Sequence, residues 1–132
     1  LILTHGNLAS ELLQAAQTID PSLAGNDAAM YLPWDVDSDD ASRSLKKQLG
    51  ELDEGEGTLV LTDKFGGTAT NLALPFLEPG MVEIVSGVNL PILIKAVGAR
   101  EKMALTDLAV HLETYGKKSI SMSSGLLKGN KR

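Results

Sequence analysis

Apolar residues occur along this chain in two alternating patterns, short uninterrupted runs and longer stretches with helical spacing. The runs at residues 1–4 and 59–62 contain only leucine, isoleucine, valine and a final threonine. Runs without polar alternation are typical of strands buried on both faces of a parallel sheet. Two further strands are predicted at about residues 28–32 and 82–86.

Amphipathic stretches separate these runs. After the first run, apolar residues recur at helical spacing at Leu8, Leu12, Ala16 and Ile19. Asn7 is the expected N-cap of this helix, and Asp20 with Pro21 should end it. Further helices are predicted at about residues 37–52, 69–77, 90–97 and 105–115. The alternation of strands and helices predicts a doubly wound α/β fold, in which helices cover both faces of a four-stranded, mostly parallel sheet.

The C-terminal segment has a different pattern. Residues 118–122 alternate between polar and apolar side chains through Ser119, Ile120, Ser121 and Met122. This alternation is typical of an edge strand with one buried face. We expect a C-terminal antiparallel strand, of a kind that two subunits can exchange in a dimer.

Length and composition narrow the possible functions. The 132 residues are expected to form a single domain. The chain has no cysteine, which excludes disulfides and thiolate metal sites. The net charge of −5 argues against nucleic acid as a partner and favours a partner with a basic face. No apolar stretch is long enough to cross a membrane.

The residues that follow the first and third strands are the main candidates for chemistry. His5 ends the first run, and Asp63 follows the run at residues 59–62. Ligands of open parallel sheets bind beyond the carboxyl ends of the strands. A carboxylate that accepts the proton of one imidazole nitrogen fixes the tautomer and leaves the other nitrogen with a lone pair. His5 and Asp63 together therefore suit the handling of a phosphoryl group.

A glycine-rich turn follows Asp63. Gly66, Gly67 and Thr68 lie at a predicted strand-to-helix junction, where backbone N–H groups and a hydroxyl favour an anion. The turn lacks the lysine and the spacing of a P-loop. No cluster of carboxylates predicts a metal site, and no cofactor is expected. Each feature has an ordinary structural explanation by itself, so the interpretation depends on their meeting at one edge of the sheet.

Three motifs carry a family resemblance: Thr4-His5-Gly6 followed by Leu8-Ala9 and Leu12-Leu13; Thr62-Asp63-Lys64-Phe65-Gly66-Gly67-Thr68 with Asn71; and Gly87-Val88-Asn89-Leu90-Pro91. They resemble the mannose-type (mannose/fructose/sorbose) EIIA domains of the bacterial phosphoenolpyruvate:sugar phosphotransferase system. The motifs have the order and spacing of that family and span nearly the whole chain. Ala69 departs from the family pattern, in which proline usually follows the turn.

The resemblance implies a specific role for the chain. His5 would accept a phosphoryl group from the histidine-containing phosphocarrier protein and pass it to an EIIB domain, with Asp63 orienting His5. Gly66, Gly67 and Thr68 would hold the phosphate. The family also implies a cytoplasmic homodimer with an exchanged C-terminal strand, connected to the membrane only through a permease.

Three nearby residues have alternative interpretations. Lys64 either stabilises phosphorylated His5 or is simply solvated, and Phe65 either docks the phosphocarrier or caps the local core. Trp34 follows a predicted strand, and we expect it in the core or at the rim of the site.

Other functions remain open at this stage. A regulatory phosphorelay or a phosphoryl donor to a dihydroxyacetone kinase would use the same chemistry, although His5 followed by Gly6 rather than serine favours the mannose type. A non-catalytic flavodoxin-like or receiver-like module is the alternative from another class. A receiver needs an acidic cluster at the first strand, and His5 stands there instead.

Overall fold

A computed structural model describes residues 1–23, 25 and 27–129. In chain order its elements are β1 (Ile2–His5), α1 (Leu8–Ile19), β2 (Ala29–Leu32), α2 (Ser38–Leu52), β3 (Thr58–Thr62), α3 (Thr68–Ala73), β4 (Val82–Ser86), α4 (Leu90–Arg100), α5 (Leu105–Lys118) and α6 (Ser123–Gly129). Short 3₁₀ turns lie at Pro21–Leu23 and Leu74–Phe76. No helix within these residues is long and apolar enough to span a membrane.

The four strands form a parallel sheet in the order β2-β1-β3-β4. Strands β1 and β3 are neighbours, and Leu3 of β1 lies opposite Thr62 of β3. β1 continues beyond this pair to His5, and Asp63 follows Thr62 directly. The register therefore brings the ends of these two strands to the same edge of the sheet.

Helices cover both faces of the sheet, as the sequence predicts. Ile2 and Leu61 face α1, α4 and α5, in a core that includes Leu93 and Leu112. The strand residues that point to the opposite face of the sheet pack against α2 and α3. This second core contains Leu3, Leu32, Val60, Leu45 and Ala69. Successive residues of a strand point to opposite faces, so a strand covered on both faces must be apolar at every position. This explains the uninterrupted runs in the sequence.

Two helix boundaries differ from the sequence-based expectation. Asn7 occupies the N-cap position of α1, but its side chain makes no capping hydrogen bond. Buried Thr4 replaces it, because its Oγ1 accepts the Ala9 N–H at 2.7 Å. α3 ends at Ala73 and gives way to the 3₁₀ turn that contains Pro75, since proline has no N–H with which to continue an α-helix.

The C-terminal edge strand predicted at residues 118–122 is not formed in the single chain, and its exchange in a dimer stays a prediction. Lys118 is the last residue of α5, residues 120–122 have no regular structure, and α6 follows. Ile120 and Met122 are exposed, at 82% and 73%. An edge strand forms only when another strand supplies hydrogen-bonding backbone groups, and no strand within the described residues does so for this segment.

Candidate functional site

His5 and Asp63 meet at the carboxyl edge of the sheet. The His5 Nδ1 atom lies 2.8 Å from the Asp63 Oδ2 atom. The same Oδ2 atom accepts the backbone N–H of His5 at 3.1 Å. The side chains are only 21% and 16% exposed, respectively. Asp63 thus holds both the ring and the backbone at the end of β1.

This contact determines which imidazole nitrogen can react. A carboxylate can only accept hydrogen bonds, so Nδ1 of His5 carries the proton toward Asp63. In the neutral ring, Nε2 then holds the lone pair. No hydrogen bond to Nε2 is made within the described residues. The geometry therefore presents a partly exposed nitrogen nucleophile in a defined tautomer.

The charge state of Asp63 supports this arrangement. Burial by itself would raise the pKa of Asp63. Hydrogen bonds from the backbone and ring of His5, attraction to the imidazole, and the Lys64 N–H outweigh burial, so the pKa is lowered overall. Hydrogen bonding to the charged form of a carboxyl group favours that form. Asp63 is therefore a carboxylate near neutral pH.

The turn after Asp63 approaches the imidazole closely. Gly66 has a φ of +75°, a conformation that favours glycine. A Cβ atom on Gly67 would lie 3.2 Å from the Lys64 carbonyl oxygen and 3.9 Å from Cε1 of His5. The backbone at Gly67 therefore runs beside the reactive ring, where a bulkier residue would force the turn to shift.

The remaining predicted residues extend from this turn toward solvent. Thr68 begins α3 with an exposed side chain. Lys64 is also exposed, and its ammonium forms no ion pair within the described residues. Phe65 is 81% exposed, which is incompatible with its alternative role as a cap on the local core. The phosphate-binding and docking roles of these residues remain predictions.

Sequence reasoning missed a cluster of hydroxyl groups beneath the turn. Thr70 is buried, and its Oγ1 lies 2.7 Å from Thr62 Oγ1 and donates to the Lys64 carbonyl at 2.7 Å. Ser86, at the end of β4, completes the cluster through an Oγ contact with Thr62 at 2.9 Å. The cluster anchors the turn to β3 and β4. The sequence feature that could have indicated this cluster is a hydroxyl residue at the end of each of two apolar strands, Thr62 in β3 and Ser86 in β4.

Of the two positions expected for Trp34, the core and the rim of the site, the structure shows the rim. Trp34 is 81% exposed, so it is not a core residue, and its ring stacks on the His5 imidazole with centroids 4.8 Å apart and planes 15° from parallel. Trp34 lies in the turn after β2, the strand next to β1. The site thus has an aromatic component that contacts its central residue directly.

Across residues 1–23, 25 and 27–129, no three histidine, cysteine or acidic side chains are grouped so that they could hold a metal ion. The site consists of an oriented imidazole, a carboxylate, a close glycine turn and an indole. This set is suited to nucleophilic attack by a ring nitrogen.

Comparisons with known proteins agree with the resemblance seen in the motifs. Residues 1–113 match the family model EIIA-man, described as the PTS system fructose IIA component, where PTS denotes the phosphotransferase system. The chain belongs to this family. It is related to a mannose/sorbose specific IIA subunit of the phosphotransferase system from Enterococcus faecalis, with a TM-score of 0.77 and 28% identity over 92% of this chain and 90% of that one.

Two curated relatives give the same family. The PTS system fructose-specific EIIA component of Bacillus subtilis is 38% identical over 77 residues, which are 58% of this chain and 53% of the relative. The PTS system mannose-specific EIIAB component of Escherichia coli K12 is 30% identical over 102 residues, 74% of this chain. The match spans only 30% of that longer protein. The chain thus spans about half or less of the length of these relatives, and both are named as components of the phosphotransferase system.

Proposed function

We propose that His5 of this EIIA component accepts a phosphoryl group and passes it on, through a phosphohistidine intermediate. The observation that supports the proposal best is the 2.8 Å contact between His5 Nδ1 and Asp63 Oδ2. It leaves Nε2 as the nucleophile at the rim of the sheet. Within this proposal, residues 1–132 act as a single phosphoryl-transfer domain.

The transfer step follows from that geometry. The Nε2 lone pair attacks the phosphorus of the donor's phosphohistidine, and the donor's N–P bond breaks with its electron pair returning to the donor ring. His5 then has a substituent on each nitrogen and carries a formal positive charge. Asp63, which accepts the Nδ1 proton, neutralises that charge. Because phosphoryl transfer passes through a loose transition state, catalysis depends mainly on positioning and charge.

The turn after Asp63 would receive the phosphate. A Cβ atom on Gly67 would lie 3.9 Å from Cε1 of the ring, and the Gly67 N–H donates to the Lys64 carbonyl at 3.2 Å. The N–H groups of Gly66 and Thr68, which have no acceptor within the described residues, would bind the phosphoryl oxygens together with the Thr68 hydroxyl. Backbone N–H groups at such a junction favour anionic oxygens. In this role the turn would hold the phosphoryl oxygens while the group is transferred to His5 and later from His5 to the acceptor.

The proposed partners are those of the phosphotransferase cascade. The histidine-containing phosphocarrier protein would be the donor and an EIIB domain the acceptor, in the cytoplasm, with contact to the membrane only through a sugar permease. Phe65, which is 81% exposed beside the site, and the exposed Lys64 are suited to contact these partners. A homodimer that pairs the C-terminal segments would cover the apolar side chains of Ile120 and Met122, and that dimer is part of the proposal.

The test is phosphorylation by the reconstituted cascade. We expect phosphoenolpyruvate, the first enzyme and the phosphocarrier to add one acid-labile phosphate, and an EIIB domain to remove it. His5→Gln should abolish labelling. The chain has two histidines, so His111→Gln, which alters half-buried His111 in α5, is the matched control and should label normally. Labelling of the His5→Gln variant would contradict the assignment of the site.

A further inference from the structure

Two side chains contact the imidazole of His5. Asp63 accepts a hydrogen bond from Nδ1 at 2.8 Å, and a Cβ atom on Gly67 would lie 3.9 Å from Cε1. Trp34 covers one face of the ring, with centroids 4.8 Å apart and planes inclined by 15°. Neither contact involves Nε2, and the His5 side chain is 21% exposed.

The position of Trp34 is set by the sheet. Leu32 of β2 pairs with His5 of β1, and the Gly6 N–H donates to the Leu32 carbonyl at 3.0 Å. Trp34 lies two residues after Leu32, in the turn that leads to α2. A Cβ atom on Gly6 would be 3.9 Å from the Trp34 Nε1 atom. The pairing of β1 with β2 therefore brings the turn that carries Trp34 next to His5.

We propose that Trp34 is a positioning residue that holds the His5 ring and stabilises its phosphorylated form. The inference rests on the proposed function in one respect, namely that His5 carries the phosphoryl group. An unphosphorylated imidazole stacks on indole through dispersion and quadrupole attraction. When Nε2 is phosphorylated and Nδ1 retains its proton, the ring carries a positive charge, and the indole face attracts it more strongly, as in a cation–π contact.

Core packing does not explain this contact. Trp34 is 81% exposed, and its ring contacts the reactive histidine instead of the interior. Phe65 provides an internal comparison, because it is equally exposed on the same edge and makes no ring stack in the described part of the chain. Comparison of the two residues therefore distinguishes an effect of contact with the imidazole from an effect of an exposed aromatic side chain.

The decisive experiment measures the lifetime of phosphorylated His5 without any protein partner. Phosphoramidate serves as the phosphoryl donor: Nε2 displaces ammonia from phosphorus, and the P–N bond of the reagent breaks. After removal of the reagent, we expect Trp34→Ala to shorten the half-life of the phosphoprotein about two- to tenfold. Trp34→Phe, which keeps an aromatic face, should restore most of the lifetime.

The control is Tyr31→Ala, which removes a half-exposed aromatic ring of β2 that has no assigned role in the site; its half-life should equal that of the wild type. Equal half-lives for Trp34→Ala and the wild type would overturn the inference. So would the absence of phosphoramidate labelling in the wild type, since no phosphorylated ring would then exist for Trp34 to stabilise. If phosphoramidate labels His5 but the cascade does not, the proposed function fails, and the comparison of half-lives still decides the role of Trp34.

A second measurement uses the unphosphorylated protein. The ring protons of His5 should be shifted upfield in the NMR spectrum by the ring current of the stacked indole. Trp34→Ala should remove that shift, and Phe65→Ala should preserve it. Identical His5 ring-proton shifts in the wild type and Trp34→Ala would show that the stack does not persist in solution and would overturn the inference.

Discussion

Replacing Asp63 by asparagine removes one charge from the site with little change in volume. Asp63 Oδ2 accepts both the Nδ1 proton and the backbone N–H of His5, whereas Oδ1 accepts only the Lys64 N–H at 2.9 Å. Asparagine has a single acceptor oxygen. We expect that oxygen to occupy the position of Oδ2, where it accepts both N–H groups of His5. The asparagine NH₂ group then faces the Lys64 N–H, which is exposed and can donate to water.

The size of the effect follows from this placement. The Nδ1 proton keeps an acceptor, so the tautomer of His5 is preserved, but the phosphorylated ring loses the carboxylate that neutralises it. A hydrogen bond to a charged group contributes about 1.5–3 kcal/mol and one between neutral groups about 0.5–1.5 kcal/mol, so the loss is about 1–1.5 kcal/mol. At roughly 1.4 kcal/mol for each tenfold change in rate, Asp63→Asn should slow phosphorylation by about 5- to 13-fold.

The assay is the initial rate of labelling by the cascade, measured by rapid quenching in alkali. Asp39→Asn is the control, because Asp39 carries the same charge in the exposed first turn of α2, away from the site. It should label at the wild-type rate. Circular dichroism and thermal unfolding would verify that both variants fold. A labelling rate of folded Asp63→Asn equal to that of Asp39→Asn would refute the proposed role of the carboxylate.

The other predictions concern the turn and acid stability. Thr70→Val should lower the free energy of unfolding by about 1–3 kcal/mol in denaturant titrations, because buried hydrogen bonds are lost, while Thr70→Ser should retain most of it. Gly67→Val should slow labelling, since its Cβ meets the Lys64 carbonyl at 3.2 Å; a wild-type rate contradicts this. Because the pKa of Asp63 is lower in the folded than in the unfolded protein, its carboxylate stabilises the fold at pH values above the unfolded-state pKa. This stability is lost as the pH falls through the folded-state pKa, so the free energy of unfolding should depend less on pH in the acid range for Asp63→Asn than for the wild type.

The parts of the fold that could be predicted from the sequence are the strands and helices, because each depends on the pattern of apolar residues within its own segment. Residues 59–61 are apolar at every position because Val60 and Leu61 face different cores, so the strand and its two-sided burial follow from the sequence. The candidate pair His5 and Asp63 could be selected because strand ends of a parallel sheet share an edge. Their adjacency required the order β2-β1-β3-β4, which the hydrophobic pattern does not specify.

The parts that were missed depend on contacts between distant segments. The stack of Trp34 on His5 depends on the turn after β2, whose conformation leaves no periodic signal. At the start of α1, the Ala9 N–H donates to the hydroxyl of Thr4, a buried residue of β1, and the Asn7 side chain makes no capping hydrogen bond. The alternation through Ile120 indicates a strand only if another chain supplies its partner, and a single chain folds this segment differently.

The central claim is that Asp63 holds Nδ1 of His5 and leaves Nε2 to react. It is tested most directly by long-range ¹H–¹⁵N and ³¹P NMR spectra of the ¹⁵N-labelled phosphoprotein, which identify the nitrogen bonded to phosphorus. The 2.8 Å contact at Nδ1 predicts that phosphorus is attached to Nε2 and that Nδ1 retains its proton. Phosphorus on Nδ1, or on His111, would contradict the account.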